Sequence, residues 1–318
     1  MQLDVSVAFF LLGAFAAFVR SDIAFPKGLY QSLVLYLMIA IGLKGGIALS
    51  AHASWDLVTQ SIFVISLGLV LPLIAFPILY YVGKLPRQDA ASICAHYGSV
   101  SVGTYAVAVA FLEAMSIEYE DYIALFVVLL EMPAIAVGIA LAKRAAAKGE
   151  SSGGPSLPSG KLLHEIFLNQ GIVLMTGGLL IGYMAGERTY SIAPLFFDLF
   201  NGVLALFLLE MGMVSARRIG ELKHQGSFML AFGIFMPLIG GVMGSALGLA
   251  VGLSTGGAIL LAVLGGSASY IAVPAVMRQA LPDSNHSLSI GVSLGITFPF
   301  NVILGIPTYM VITQWFAA

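Results

Sequence analysis

Apolar runs long enough to cross a membrane recur along the whole chain, and only short polar connections separate them. A transmembrane helix needs about 20 mostly apolar residues. The pattern therefore predicts an all-α membrane protein with ten transmembrane helices, at approximately 4–19, 28–50, 60–82, 89–113, 121–142, 167–186, 190–214, 226–253, 256–278 and 287–314.

The composition agrees with this prediction. Of 318 residues, 59% are hydrophobic and 9% are charged, whereas about 25% are charged in a typical soluble domain. The net charge of -2 gives no indication of a nucleic-acid partner, and the single cysteine, Cys94, excludes an intrachain disulfide. The sequence contains no nucleophile motif, P-loop or metal-ligand spacing of histidine and cysteine. We therefore expect neither an enzyme nor a bound cofactor.

Lysine and arginine are distributed unevenly among the connections, and this predicts the orientation. Cytoplasmic connections carry an excess of these residues. If the N-terminus lies outside, alternate connections hold twelve of the fourteen. We therefore expect a multi-pass protein of the inner (plasma) membrane with both termini outside. The twelve are Arg20, Lys27, Lys84, Arg87, Lys143, Arg144, Lys148, Lys161, Arg217, Arg218, Lys223 and Arg278.

A polar segment rich in glycine, serine and proline, "AKGESSGGPSLPSGK" (147–161), divides the chain into two halves of five predicted helices. Its composition is typical of a flexible linker. The predicted units are a first five-helix repeat at 1–143, a cytoplasmic linker at 144–166 and a second five-helix repeat at 167–318.

Three short sequences recur in the same order in both halves. "LPLIAF" recurs as "MPLIGG", "GSVS" as "GSAS" and "EMPAI" as "TFPFN". Measured between corresponding prolines or glycines, the shifts are 165, 168 and 166 positions. Because five helices are an odd number, the second half enters the membrane in the opposite orientation. The pattern predicts two inverted repeats, an architecture of secondary transporters.

Corresponding helices of the two halves are interrupted by small residues, at "HYGSVSVGTY" (96–105) and "LGGSASYIAVP" (264–274). A helix broken at mid-membrane offers N–H groups, which favour an anion. Its free carbonyls suit Na⁺, with help from serine and threonine hydroxyls. Small residues in membrane helices more often serve close packing, but two interruptions at matched positions favour ligand binding.

Three polar side chains within the predicted helices have alternative roles. Glu131, which precedes Pro133, either serves the cation site or pairs structurally, since a charge at this depth is costly. Lys44 either pairs with Glu210 of the equivalent helix or extends to the membrane surface. His96 can titrate near neutral pH, although a lone histidine is more often a hydrogen-bonded structural residue.

Five segments resemble, in order and position, the sodium-dependent bicarbonate transporter family of cyanobacteria and other bacteria. They are "IGLKGGIAL", "YGSVSVGTYAVAVAFLE", "EMPAI", "MGMVSARRIGEL" and "GGSASYIAVPAV". The resemblance covers nearly the whole chain. It implies inverted five-helix repeats, external termini, a core domain that moves against a gate domain, and a homotrimer. It also implies bicarbonate between the two breaks, Na⁺ beside it and a PII-like regulator at the cytoplasmic surface.

On this resemblance, residues of the two breaks are the candidates for the site. The expected substrate-binding residues are Gly98, Ser99, Val100, Ser101, Gly266, Ser267, Ala268 and Ser269. The expected sodium-binding residues are Ser101, Thr104, Glu131, Ser269 and Tyr270. No metal beyond Na⁺ is expected.

The match to the family pattern is incomplete within the breaks. Ser99 replaces an alanine-like position, and Val102 and Gly103 replace a Gly-Ser pair. Tyr270 stands where the family pattern has aspartate. This change removes a carboxylate that would favour Na⁺. The resemblance therefore specifies the fold more closely than it specifies the substrate.

The sequence therefore predicts a secondary active transporter that imports a small anion, first of all bicarbonate, with Na⁺ by alternating access. The alternatives are transport of another small anion, such as a monocarboxylate or oxyanion, and an uncoupled anion sensor derived from a transporter. An intramembrane enzyme is disfavoured because no nucleophile–base pair is found. The expected partners are the anion, Na⁺ and membrane lipid.

Overall fold

The computed structural model describes residues 5–52, 54–146, 164, 167–222 and 226–318. All regular structure within these ranges is helical. The predicted linker at 144–166 lies mostly outside the described residues. The helices are α1 Val5–Phe18, α2 Lys27–His52, α3 Trp55–Val82, α4 Arg87–His96, α5 Val102–Ala114, α6 Ala124–Glu131, α7 Pro133–Ala146, α8 Gln170–Ala185, α9 Phe200–Leu222, α10 Ser227–Ala250, α11 Thr255–Gly265, α12 Ala272–Ala280 and α13 His286–Ala317.

Helical segments lie within each of the ten predicted stretches. Within the described ranges, five helical stretches are long and apolar enough to cross a membrane: Lys27–His52, Trp55–Val82, Asp121–Lys143, Ser227–Ala250 and His286–Ala317. The helices α4, α5, α11 and α12 are shorter than these five stretches, because the chain leaves the helical conformation between α4 and α5 and between α11 and α12. The chain is therefore an all-helical membrane protein.

Three of the predicted helices consist of two pieces. The chain is non-helical between α4 and α5, and again between α11 and α12, where the glycine and serine interruptions lie. The third interruption separates α6 from α7 at Met132. Pro133 accounts for this one, because proline has no N–H to donate and its ring crowds the preceding turn.

The helix expected at 190–214 begins later than predicted. A 3-10 helix occupies Gly186–Ile192 and a π-helical turn Pro194–Asp198, so that α9 begins only at Phe200. Pro194 cannot donate the hydrogen bond that would continue an upstream helix. The apolar pattern therefore placed the start of this helix about ten residues too early.

Helix pairs with extensive contacts are α1 with α9, α2 with α8 and α10 with α11, and α10 also packs on α13. The contact between α2 and α8 is made backbone to backbone: a methyl group on Gly46 would overlap the carbonyl oxygen of Leu179. Small residues allow this close approach, which gives membrane helices much of their packing energy.

Candidate anion and cation site

The two helix breaks, 97–101 and 266–271, are joined directly by hydrogen bonds. The Ser269 N–H donates to the His96 carbonyl at 2.9 Å, and His96 Nδ1 lies 2.6 Å from the Ser269 carbonyl. Because a carbonyl only accepts, Nδ1 carries the hydrogen. The Ser101 N–H donates to Ser267 Oγ at 3.0 Å. Segments that are more than 160 residues apart in sequence thus form one polar centre.

Ser101 caps the N-terminus of α5. Its Oγ accepts hydrogen bonds from the Thr104 N–H at 3.1 Å and from Thr104 Oγ1 at 2.9 Å. The amides of Val102 and Gly103, in the same first turn, have no carbonyl one turn earlier to donate to. This end of α5 is buried, and the aligned peptide dipoles make it favourable for an anion.

The second break is held by α13. Asn301 Nδ2 donates to the Gly266 carbonyl at 2.8 Å, and the Tyr309 hydroxyl donates to Asn301 Oδ1 at 2.7 Å. Ser267 Oγ donates to the Leu264 carbonyl at 2.9 Å. Two carbonyl groups at the end of α11, those of Leu264 and Gly266, are therefore paired within the protein, as an apolar surrounding requires.

Tyr270 lies near the end of the second break, with its ring against the first turn of α5. Its side chain is 8% exposed, and its hydroxyl has no hydrogen-bond partner among the described residues, although Ser101 lies close enough to interact with it. A methyl group on Gly103 would lie 2.5 Å from the Tyr270 oxygen. The ring meets Phe298 edge to face, with centroids 5.3 Å apart. The phenol oxygen thus lies beside the N-terminus of α5.

Glu131 is buried at the end of α6, 4% exposed. Ser99 Oγ donates to its Oε2 at 3.2 Å. Glu131 is therefore attached to the first break through Ser99.

The structure groups the predicted site residues unevenly. Ser101, Ser267 and Ser269 belong to the hydrogen-bonded centre, whereas Gly98 serves packing, because a methyl group there would lie 2.5 Å from Pro72 Cδ. Val100 and Ala268 are buried and offer only backbone groups.

The predicted sodium-binding residues differ in the hydrogen bonds that they make. Thr104 is bonded to Ser101, Ser269 to His96, and Glu131 to Ser99.

His96 and Asn301 organise the site in ways that the sequence analysis missed. The sequence left titration and a structural role open for His96, and the structure shows that it bonds to the Ser269 carbonyl and so links the two breaks. Asn301 was used only as part of the repeated "TFPFN". An amide side chain in an otherwise apolar run was the available signal, since a buried polar group requires partners.

Lys44 forms an ion pair with Glu113 at 3.0 Å, in place of the predicted pair with Glu210. Tyr119 donates to the same carboxylate oxygen at 3.0 Å, and Lys44 Nζ lies 5.7 Å from the centroid of the Phe200 ring. The predicted partner, Glu210, lies elsewhere, near Arg217. The ion pair connects α2 to the far end of α5.

An apolar, all-helical chain whose broken helices meet in a buried polar centre has the features of a secondary membrane transporter. Residues 6–314 match the family model of the Na⁺-dependent bicarbonate transporter superfamily, and the chain belongs to this family. The resemblance found in the sequence is thereby confirmed. No curated protein matches the chain. Membership of this family implies a transporter rather than an enzyme.

Proposed function

We propose that this protein imports a small anion, first of all bicarbonate, together with Na⁺ by alternating access. The direct hydrogen bonding of the two breaks carries the proposal, because it produces one buried place with a helix N-terminus and several hydroxyl groups. An anion there would receive the amides of Val102 and Gly103. The family, which consists of Na⁺-dependent bicarbonate transporters, supports this choice of substrate and ion.

The proposed sodium ligands are oxygens of Ser101, Thr104, Glu131, Ser269 and Tyr270. Hydroxyl, carbonyl and carboxylate oxygens are the ligands that small hard cations prefer. Of these groups only Glu131 supplies a full negative charge. Na⁺ would supply the positive counter-charge for this carboxylate, because an uncompensated carboxylate in an apolar interior is costly. No cofactor other than Na⁺ is proposed.

The proposed architecture is ten transmembrane helices in two inverted repeats of five, with the breaks at mid-membrane. The protein would lie in the plasma membrane with both termini outside and assemble as a homotrimer. A PII-like regulator would contact its cytoplasmic side. The helices found within all ten predicted stretches and the asymmetry of lysine and arginine support the arrangement.

Uptake measurements test the function directly. Proteoliposomes containing the purified protein are expected to accumulate labelled bicarbonate when an inward Na⁺ gradient is applied. The gradient supplies the free energy, so accumulation should fall to the background of empty liposomes when K⁺ replaces Na⁺. Accumulation that is equal with the two cations would contradict Na⁺ coupling, and no uptake with either would remove bicarbonate as the substrate.

Glu131→Gln is expected to raise the Na⁺ concentration for half-maximal uptake roughly tenfold, since interactions with a charged group contribute about 1.5–3 kcal/mol. Glutamine keeps the shape of the side chain and removes its charge. The matched control is Glu113→Gln, the same change at the far end of α5. An unchanged Na⁺ dependence in Glu131→Gln would exclude this residue from the cation site.

Transport of a different anion is the second candidate function. The observation that favours it is Tyr270, whose ring stands at the end of α5 where the family pattern has a carboxylate. Thermal stabilisation of the purified protein by a panel of monocarboxylates and oxyanions, with and without Na⁺, separates this candidate from the first. Stabilisation that is independent of Na⁺, combined with no uptake, would instead support an uncoupled sensor.

A further inference from the structure

We propose that the Tyr270 hydroxyl donates a hydrogen bond to the transported anion and limits the size of anion that the site accepts. The inference rests on the proposed function, because it assigns a role at the same site. It concerns a hydroxyl group for which the described protein offers no partner.

The first argument is the state of the hydroxyl group. Tyr270 is 8% exposed, and its hydroxyl oxygen is buried. Buried polar side chains in folded proteins are nearly always hydrogen-bonded, and an unpaired one calls for a specific explanation. The phenol oxygen lies at the first turn of α5, beside Gly103 and close to Ser101. A bound acceptor at this place would complete its hydrogen bonding.

The second argument is the presence of other hydrogen-bond donors at the N-terminus of α5. The first turn of α5 presents the amides of Val102 and Gly103, and helix N-termini of this kind bind anions. An anion at this end of α5 would accept from these amides and from the phenol of Tyr270. The oxygen of the phenol keeps lone pairs, which remain available to Na⁺. One side chain can therefore contact both transported ions.

The third argument is the apolar wall around these donors. Phe298 meets Tyr270 edge to face, and Phe207 would lie 2.8 Å from a methyl group on Gly103. Tyr30 stacks on Phe207 with centroids 6.2 Å apart. Rings from α2, α9 and α13 thus surround the end of α5.

Apolar rings do not compensate the free-energy cost of removing a second negative charge from water. This environment therefore favours small monovalent oxyanions over sulfate or phosphate. The expected ligand class is therefore a small, singly charged oxyanion such as bicarbonate, formate or nitrate.

Tyr270→Phe tests the role of the hydroxyl in the full-length purified protein. Binding of bicarbonate, formate, nitrate and sulfate is measured by calorimetry at one fixed Na⁺ concentration. The variant is expected to bind the monovalent anions roughly tenfold more weakly, as for loss of a hydrogen bond to a charged group. Its melting temperature without an anion should fall little, because the removed hydroxyl makes no hydrogen bond of good geometry to the described residues.

Tyr122→Phe is the matched control. Its hydroxyl donates to Gln60 Oε1 at 3.2 Å, far in the fold from the breaks, so anion affinity should remain that of the unmodified protein. Gly103→Ala provides a second variant: its methyl group would displace the phenol, and it should lose anion affinity as Tyr270→Phe does.

The outcomes distinguish this inference from the proposed function. If the unmodified protein binds bicarbonate and Tyr270→Phe binds it equally well, the inference is wrong and the proposed function stands. If formate or nitrate binds but bicarbonate does not, the bicarbonate assignment is wrong and the loss in Tyr270→Phe still decides the inference. Sulfate binding as tight as that of the monovalent anions would contradict the size and charge limit. Binding of no anion overturns both.

Discussion

Ser101→Ala is expected to reduce sodium-driven anion uptake by about one to two orders of magnitude. Its hydroxyl accepts from the N–H and the hydroxyl of Thr104, so the substitution leaves two buried donors unpaired. Each unpaired donor costs about 1–3 kcal/mol. The first turn of α5 should loosen, and with it the amides that are proposed to hold the anion. Uptake and anion binding are both measured.

Ser254→Ala is the matched control for this prediction. Ser254 caps α11 as Ser101 caps α5, since its Oγ accepts from the Gly257 N–H at 3.0 Å. Its hydroxyl also bonds to Glu120, outside the breaks. Both variants lose a helix cap, which contributes about 1 kcal/mol, but only Ser101→Ala should lose anion binding. Equal losses would mean that Ser101 acts as a structural cap alone.

Gly240→Ala is expected to destabilise the protein by about 3 kcal/mol, the upper end of the usual cost of overpacking a core. A methyl group at this position of α10 would overlap the Gly265 carbonyl oxygen and lie 3.2 Å from the Gly266 nitrogen. Both obstacles are backbone, so no side-chain rotation relieves the overlap. The second break must therefore move, and anion binding should be lost even in protein that remains folded.

Gly177→Ala separates this effect from the general consequences of replacing a helical glycine. Gly177 lies in α8, and an added methyl group there would have no heavy atom within 4 Å. Alanine in a helix is favoured over glycine by about 0.5–1 kcal/mol, so this variant should melt at the same temperature or slightly higher. Thermal unfolding in detergent checks both variants. Equal melting temperatures would show that α10 shifts to accommodate a methyl group at position 240 without loss of stability.

The positions of the helices were predictable because apolar runs and their polar boundaries are local features. Both main interruptions were also visible as glycine and serine within apolar runs. The late start of α9 was not predicted, because apolar residues continue on both sides of Phe200. There the conformation depends on Pro194 and on packing, neither of which changes the hydropathy pattern.

The polar residues of the two breaks were visible in the sequence, but their contacts were not. The sequence pointed to Ser101, Ser267 and Ser269, and the structure joins these residues within one centre. The role of His96 in joining the breaks depends on a partner 173 residues away, and periodicity carries no information over that distance. Lys44 shows the same limit, since its pairing with Glu113 follows from where α2 crosses α5.

The bonds between the two breaks also bear on the order in which the protein assembles during synthesis. α4 and α5 leave the ribosome long before residues 267–269 do. Until then the His96 carbonyl lacks Ser269, and the Ser101 N–H lacks Ser267. Unpaired backbone groups are unstable in lipid, so the first break has to remain sheltered or helical meanwhile. Formation of the central hydrogen bonds is accordingly a late step of biogenesis, and a nascent chain stalled before residue 267 lacks them.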